Sequence, residues 1–297
     1  MQPFVESNGL LDDPPGLRKR LRDDGYLFLR GILPTDEVLD LRRQVLEFCA
    51  QAGWLRPEAN VMDGLADRNP ISEDDDEYLE VYARVQALEA FHRLKFDANI
   101  IRIMEDLFQE PVIPLPKTIA RIAFPRDNDR GTKPHQDWIF VGGSMETISC
   151  WAPLGDVSLD VGGLRILAGS HKSGFLEPRP AIGPGSRIVD VDPGLEWHQS
   201  SYRSGDVLLF KALTVHAAAS NLTADELRLS VDFRYAGESH TIAEKWLRPH
   251  FDDVGEPFTW STLEKEWRDS PIADYWERLP RLKTKHHPWF WETGKQS

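Results

Sequence analysis

Arg228-Leu229-Ser230-Val231-Asp232-Phe233-Arg234-Tyr235 alternates polar and apolar residues without a break. Period-two alternation sends successive side chains to opposite faces, so the stretch reads as a β-strand with one packed face and one polar face. Leu229, Val231, Phe233 and Tyr235 cover one side, while Arg228 and Ser230 share the other and point into an enclosure. An inward arginine is costly unless an anion meets it. Two readings stay open for Arg228: a bound carboxylate, or an ion pair with a neighbour such as Asp232.

Upstream of this strand the same period recurs from about residue 112. Ile119, Arg121 and Ala123 alternate with Ala120, Ile122 and Phe124. Further strands are expected at 136–141, 145–153, 163–168, 187–191, 206–210, 213–218 and 227–235, separated by turns containing Gly, Pro and Asp. Many short strands with turn signals and no intervening helical periods predict a sandwich or jelly roll rather than βαβ units. The region before residue 111 reads as helical. Pro14 to Asp24 carries Leu17 and Leu21 on one face and stops at Gly25, before the apolar run Tyr26-Leu27-Phe28-Leu29. Thr35 is the expected N-cap of a helix over 36–52, and helices are expected near 76–94 and 98–108. The acidic run Glu73 to Glu77 reads as a solvated helix start behind Ser72. The expected fold is mainly β with flanking helices, in one domain over 1–297: a helical part to 110, a jelly-roll core over 111–236 and an arm over 237–297.

That arm holds six of the ten tryptophans: Trp246, Trp260, Trp267, Trp276, Trp289 and Trp291. They are expected to pack on the barrel exterior or on a second subunit, which makes a homodimer an expectation. A formal net charge of −13 argues against nucleic acid, because phosphate binding needs a concentrated basic footprint. No stretch approaches the roughly 20 apolar residues of a membrane helix, and Met1 to Glu6 lacks the pattern of a secretory signal. A cytoplasmic location is the expectation, with Cys49 and Cys150 as free, buried thiols.

The chemistry resides in His135-Gln136-Asp137 and His216. In a strand, His135 and Asp137 would project from one face, and Gln136 would point away. His216 ends a run from Gly205 that reads as a turn entering paired strands, so it can close the set from a second sheet. Two imidazoles and one carboxylate with open positions are the coordination set of a non-haem Fe(II) oxygenase. A lone HxD tripeptide is a weak signal; His216 and Arg228 in order behind it raise its weight.

The chain resembles the phytanoyl-CoA dioxygenase family of Fe(II)- and 2-oxoglutarate-dependent oxygenases. The likeness runs from Asp24-Gly25-Tyr26-Leu27-Phe28-Leu29-Arg30-Gly31 through Pro134-His135-Gln136-Asp137 to Arg234-Tyr235. Gly162-Gly163-Leu164-Arg165-Ile166-Leu167-Ala168-Gly169-Ser170-His171-Lys172 is similar to the family's glycine-rich segment, with Ala168 in place of a proline. Leu159-Asp160-Val161 departs from the family's usual acidic residue and asparagine. The resemblance implies a double-stranded β-helix of cupin-like form, with Fe(II) held by His135, Asp137 and His216. It implies 2-oxoglutarate held by Arg228 with help from Ser230, dioxygen as co-reactant, and oxidation of a small-molecule C–H bond with succinate and carbon dioxide as co-products. Hydroxylation is the expected outcome. A carboxylate at 137 argues against halogenation, because halogenating relatives place a small residue there to admit chloride. Arg121 is a further candidate for contact with cosubstrate or substrate, and Trp138 and Trp151 are candidate pocket walls. His171 is read as part of a turn, and His198, His240, His250, His286 and His287 lack the spacing of a second metal site. The alternative reading is a catalytically inactive cupin-like binding or regulatory protein.

Overall fold

The computed structural model describes residues 1–126, 131–182, 185–279 and 282–286. Helix α1 (Pro14–Asp24) starts on Asp13, whose side chain accepts from the Gly16 amide, and ends at Gly25 with φ of 81°. Such a left-handed terminus suits glycine, and it redirects the chain straight into β1 (Tyr26–Leu29). Helix α2 (Thr35–Gln51) begins one residue before the expected boundary, so Thr35 is its first residue and Pro34 occupies the cap. The single helix expected over 76–94 is two, α3 (Asp76–Gln86) and α4 (Glu89–Arg93). The Gln86 carbonyl, at the break, meets His92 Nε2 at 2.8 Å. Helix α5 (Ala98–Phe108) is capped by Asp97, which accepts from Asn99 and Ile100 amides.

Strands β2 (Val112–Pro114) and β3 (Ile119–Ala123) follow. The strand expected over 136–141 is instead a short helix, α6 (Trp138–Val141). Then come β4 (Ile148–Pro153), β5 (Leu164–Leu167), β6 (Arg179–Pro180), β7 (Arg187–Ile188), β8 (Trp197–His198), β9 (Val207–Lys211), β10 (His216–Ala218) and β11 (Arg228–Gly237). The arm contributes β12 (Thr241–Ala243), α7 (Trp260–Leu263) and β13 (Lys283–Lys285).

A six-stranded sheet runs β1-β9-β4-β11-β2, with β3 also paired to β11; a three-stranded sheet runs β10-β5-β8. Every pairing in these two sheets is antiparallel. Leu229, Val231, Phe233 and Tyr235 of β11 join one core cluster with Val38, Leu41 and Val45 of α2 and Ile100, Ile103 and Met104 of α5. Full burial of each such side chain contributes about 1.5–3 kcal/mol of transfer free energy, which fastens the helical layer to the outer face of the large sheet. A second cluster, including Phe28, Trp151, Ile166, Tyr202, Leu208 and Phe210, draws on both sheets and fills the space between them. The polar face of β11 is turned to that inner side, as its alternation predicts. The resulting jelly-roll core with flanking helices matches the expected fold.

Trp260 and Trp267 of the arm pack on His92 of the helical layer rather than directly on the barrel. Trp267 donates to the Ala87 carbonyl and Trp260 to the Leu247 carbonyl, and Trp260 lies against Trp276. Trp246 differs, because it forms part of an inner cavity wall. Trp289 and Trp291 lie outside the described residues. No helix among the described residues is long and apolar enough to cross a membrane.

Candidate metal and cosubstrate site

His135 and His216 face each other across an antiparallel bridge and exchange both backbone hydrogen bonds, each at 3.0 Å. This pairing puts the two imidazoles side by side, with ring centroids 4.1 Å apart. Asp137 reaches them differently from the strand geometry expected. Its backbone is helical (φ −61°, ψ −30°), and its carbonyl accepts from Phe140 and Val141 at 2.9 and 2.8 Å. A strand-to-helix turn, not strand alternation, therefore brings the carboxylate beside the histidines. Gln136 does point away: it donates to the Gly174 and Leu213 carbonyls and accepts from the Leu176 amide. It ties the metal-site turn to the turn that precedes His216.

Asp137 Oδ1 lies 3.7 Å from His135 Nε2 and 3.6 Å from His216 Nε2. One ligand atom from each of the three residues falls within 4.8 Å of the others, and all three residues are buried. The opposite ring nitrogens are committed to backbone carbonyls: His135 Nδ1 to Lys133 at 2.7 Å and His216 Nδ1 to Thr214 at 3.1 Å. Each Nδ1–H thus donates outward and leaves an Nε2 lone pair for a metal, the usual arrangement for ligating histidines. Burial pushes His216 down to about 3, with His135 adding to the shift, so its imidazole stays neutral. Burial opposes ionisation of Asp137, yet the Arg234 guanidinium outweighs it and holds the carboxyl well below its usual range. Two imidazoles and one carboxylate at these separations fit a divalent first-row metal.

Arg234 and Ser149 are site residues that the sequence reading did not single out. Both donate to Asp137 Oδ2, Arg234 through Nε at 3.2 Å and Nη2 at 2.8 Å. That leaves Oδ1 as the free oxygen between the histidines. The signal for Arg234 was present, since the alternation that turns Arg228 inward turns Arg234 inward too.

Arg228 is 7% exposed and lines the same cavity. It does not form the ion pair with Asp232 that was its competing reading; Arg121 takes that partner at 3.3 Å and also lies 3.8 Å from Glu73. Arg228 Nη1 donates to the carbonyls of Gly162 and Ala219, while Nε has no hydrogen-bond partner among the described residues. Ser230 Oγ, two residues on, is buried and likewise unpartnered. Burial lowers Arg228 to about 10, and the neighbouring Arg121 charge adds to the shift. Buried donors left unmatched call for an acceptor, and a distal carboxylate supplies one with the right charge and fork geometry. The residues present therefore fit 2-oxoglutarate as well as the metal.

His135, Asp137, His216, Arg228 and Arg234 line a cavity of about 680 Å3. Trp151 is on its wall, packed against Tyr202 at 4.6 Å. Trp138 is not: it packs against Phe175, and Phe140 lines the cavity instead. In a helix, residues two apart point to nearly opposite sides, so Phe140 can line the cavity while Trp138 faces away. His171 bonds the Arg22 carbonyl beside Gly25, in keeping with a structural turn.

The phytanoyl-CoA dioxygenase family matches residues 21–230. The chain is 26% identical over 254 residues to the 1-deoxypentalenic acid 11-beta-hydroxylase of Streptomyces arenae, covering 78% of this chain and 84% of that one. Among solved structures it is similar to the epimerase SnoN in complex with Fe3+ and alpha ketoglutarate (24% identity, TM-score 0.52, 78% of this chain and 86% of that one). It is also similar to EctD from S. alaskensis (18% identity, TM-score 0.54, 96% and 93% covered). The structural likenesses agree with the jelly-roll architecture, and the family match includes the HxD turn and reaches Arg228 and Ser230 at the start of their strand. The chain belongs to the phytanoyl-CoA dioxygenase family, whose reaction class is non-haem Fe(II)- and 2-oxoglutarate-dependent oxygenation.

Proposed function

We propose that this protein hydroxylates a C–H bond of a small molecule, with His135, Asp137 and His216 holding Fe(II) and with Arg228 and Ser230 holding the distal carboxylate of 2-oxoglutarate. The observation that carries the assignment is the joint presence, in one cavity, of a two-histidine, one-carboxylate set and an arginine whose buried Nε lacks an acceptor among the described residues. When bound, Fe(II) and 2-oxoglutarate supply the oxidising power, with succinate and carbon dioxide as co-products. The chain's own residues do the rest. The Nδ1 bonds to Lys133 and Thr214 fix the ring orientations, and Arg234 with Ser149 holds one carboxylate oxygen so that the other faces the histidines. Phe210 packs on His216 at 4.4 Å and Phe140 on His135 at 5.6 Å, which excludes water from the back of both rings.

Asp137 supports oxygenation over halogenation, since its carboxylate fills the corner a halide would need. The named substrate of the curated relative, 1-deoxypentalenic acid, is the first compound to try. The test is to load the protein with Fe(II) without oxygen, admit air, and follow 2-oxoglutarate and succinate. Iron-dependent succinate release that vanishes in His216→Ala is expected. Release at the same rate in that variant would remove His216 from the metal set, and none at all in the native protein across candidate substrates would favour the inactive binding-protein reading.

A further inference from the structure

His250 belongs to the C-terminal arm yet lines the same cavity as the metal-site histidines. Its Nδ1 lies 2.8 Å from the Tyr82 hydroxyl oxygen. That oxygen already accepts from Gln86 Nε2 at 3.0 Å and from the Ala120 amide at 3.2 Å. A phenolic oxygen has two lone pairs and one proton, so with both lone pairs taken, Tyr82 donates its proton to His250. Nδ1 is then an acceptor, and the neutral ring carries its hydrogen on Nε2. No described residue accepts from that Nε2–H, and the cavity wall combines Ile119, Phe140, Trp246 and Phe251 with the charged Lys117, Arg248, Asp252 and Asp253.

The ring is held in place. Phe251 lies on it at 4.0 Å and packs in turn on Tyr82 and Phe258. Phe251 also has φ of +64°, a left-handed backbone that a bulky residue rarely adopts and that persists only when its surroundings enforce it. Burial, together with the charges of Lys117, Arg121 and Arg234, keeps His250 neutral. Those cations are themselves engaged: Lys117 with Asp252, Arg121 with Asp232 and Glu73, and Arg234 with Asp137. Arg234 Nη1 is a second buried donor without a hydrogen-bond partner, and Asp232 Oδ2 stands 4.0 Å from it.

We propose that His250 donates its Nε2–H to an acceptor oxygen of the prime substrate, and so selects a molecule carrying a carbonyl or carboxylate oxygen. This rests on the cavity being the oxygenase's substrate site, but its test does not depend on turnover. The full chain, loaded with Zn(II) and 2-oxoglutarate so that no oxidation occurs, is labelled with 15N-histidine. It is then titrated with 2-adamantanone, 1-adamantanecarboxylate and adamantane. The His250 signals, identified by their loss in His250→Phe, are expected to show unprotonated Nδ1 and protonated Nε2. At least one oxygen-bearing probe should shift the Nε2–H signal and bind about tenfold more tightly than the hydrocarbon, as one net hydrogen bond allows. That preference should vanish in His250→Phe and return in part in His250→Gln, whose amide can donate. A proton on Nδ1 would overturn the proposal. So would equal affinity for adamantane, absence of binding by both oxygen-bearing probes, or a preference that survives in His250→Phe. Failure of oxidation with Fe(II), by contrast, bears on the oxygenase reading alone.

Discussion

Arg234 grips the outer oxygen of Asp137 with two nitrogens, at 2.8 and 3.2 Å, while the inner oxygen faces His135 and His216. The guanidinium thus fixes which carboxylate oxygen is presented to the metal. Replacing Arg234 by Gln leaves Ser149 as the remaining side-chain donor to Asp137 and frees the carboxylate to rotate. Loss of such an outer partner is expected to weaken metal affinity about 10–100-fold. Titration with Fe(II) or Zn(II), with circular dichroism as a check on folding, measures it. Affinity unchanged in a folded variant would mean that the two histidines and the helical turn alone suffice to aim Asp137.

Arg228 offers a contrasting test, because it touches none of the three metal ligands. Charge-assisted hydrogen bonds contribute about 1.5–3 kcal/mol each, so Arg228→Ala should weaken 2-oxoglutarate binding roughly 10–150-fold. Metal affinity should stay as it was. Calorimetric titration of 2-oxoglutarate into the metal-loaded protein separates the two effects. An unaltered cosubstrate affinity would move the distal carboxylate elsewhere, with Arg121 as the next cation to examine.

The parts of this arrangement that were legible in the sequence are those governed by period alone. The alternation of Arg228 to Tyr235 announces a strand with an apolar outer face, and the structure buries that face against α2 and α5. Trp138-Ile139-Phe140-Val141 misleads because a short apolar run carries no period that distinguishes strand from helix. Its helical course is decided by Asp137, whose carbonyl starts the turn. The structure puts Phe140, not the candidate Trp138, on the cavity wall. His250 was invisible for another reason: its tautomer depends on Tyr82, and on the Gln86 and Ala120 donors to the Tyr82 hydroxyl, which come together only through tertiary packing. Gly162 and Gly163, by contrast, stood out as a pair, and their crowding explains why.

Gly162 has φ of +78°, and a Cβ placed on it would fall 2.4 Å from the Ser220 carbonyl oxygen and 2.7 Å from that of Ala219. Its own carbonyl accepts from Arg228. A left-handed backbone costs a non-glycine residue about 1–3 kcal/mol before any clash is counted. Gly162→Ala should therefore lose at least about that much stability in chemical denaturation, and it should also weaken 2-oxoglutarate binding by displacing Arg228. A destabilised variant with native cosubstrate affinity would show that Arg228 is positioned without this carbonyl.

Lys95 provides a prediction about pH. Its buried ammonium donates to the Leu115 and Pro116 carbonyls and to Thr118 Oγ1, at 3.1, 2.7 and 3.2 Å, and so anchors the segment that carries Lys117 and Ile119 into the cavity wall. Burial pushes it from 10.5 down to about 7. Below pH 7 both folded and unfolded chains hold this proton; between 7 and 10.5 the unfolded chain holds more, so stability rises with pH there. Cys49, raised from 9.0 to about 12 by burial, acts in the opposite sense above pH 9, which makes pH 7–9 the clean window. Denaturant unfolding at pH 7, 8 and 9 should show native stability climbing relative to Lys95→Met, whose lysine contribution is absent. The difference between the two proteins, not either slope alone, isolates this group from others that titrate nearby. Parallel curves would mean that Lys95 keeps an ordinary pKa in the folded state, and that its three acceptors offset the burial of its charge.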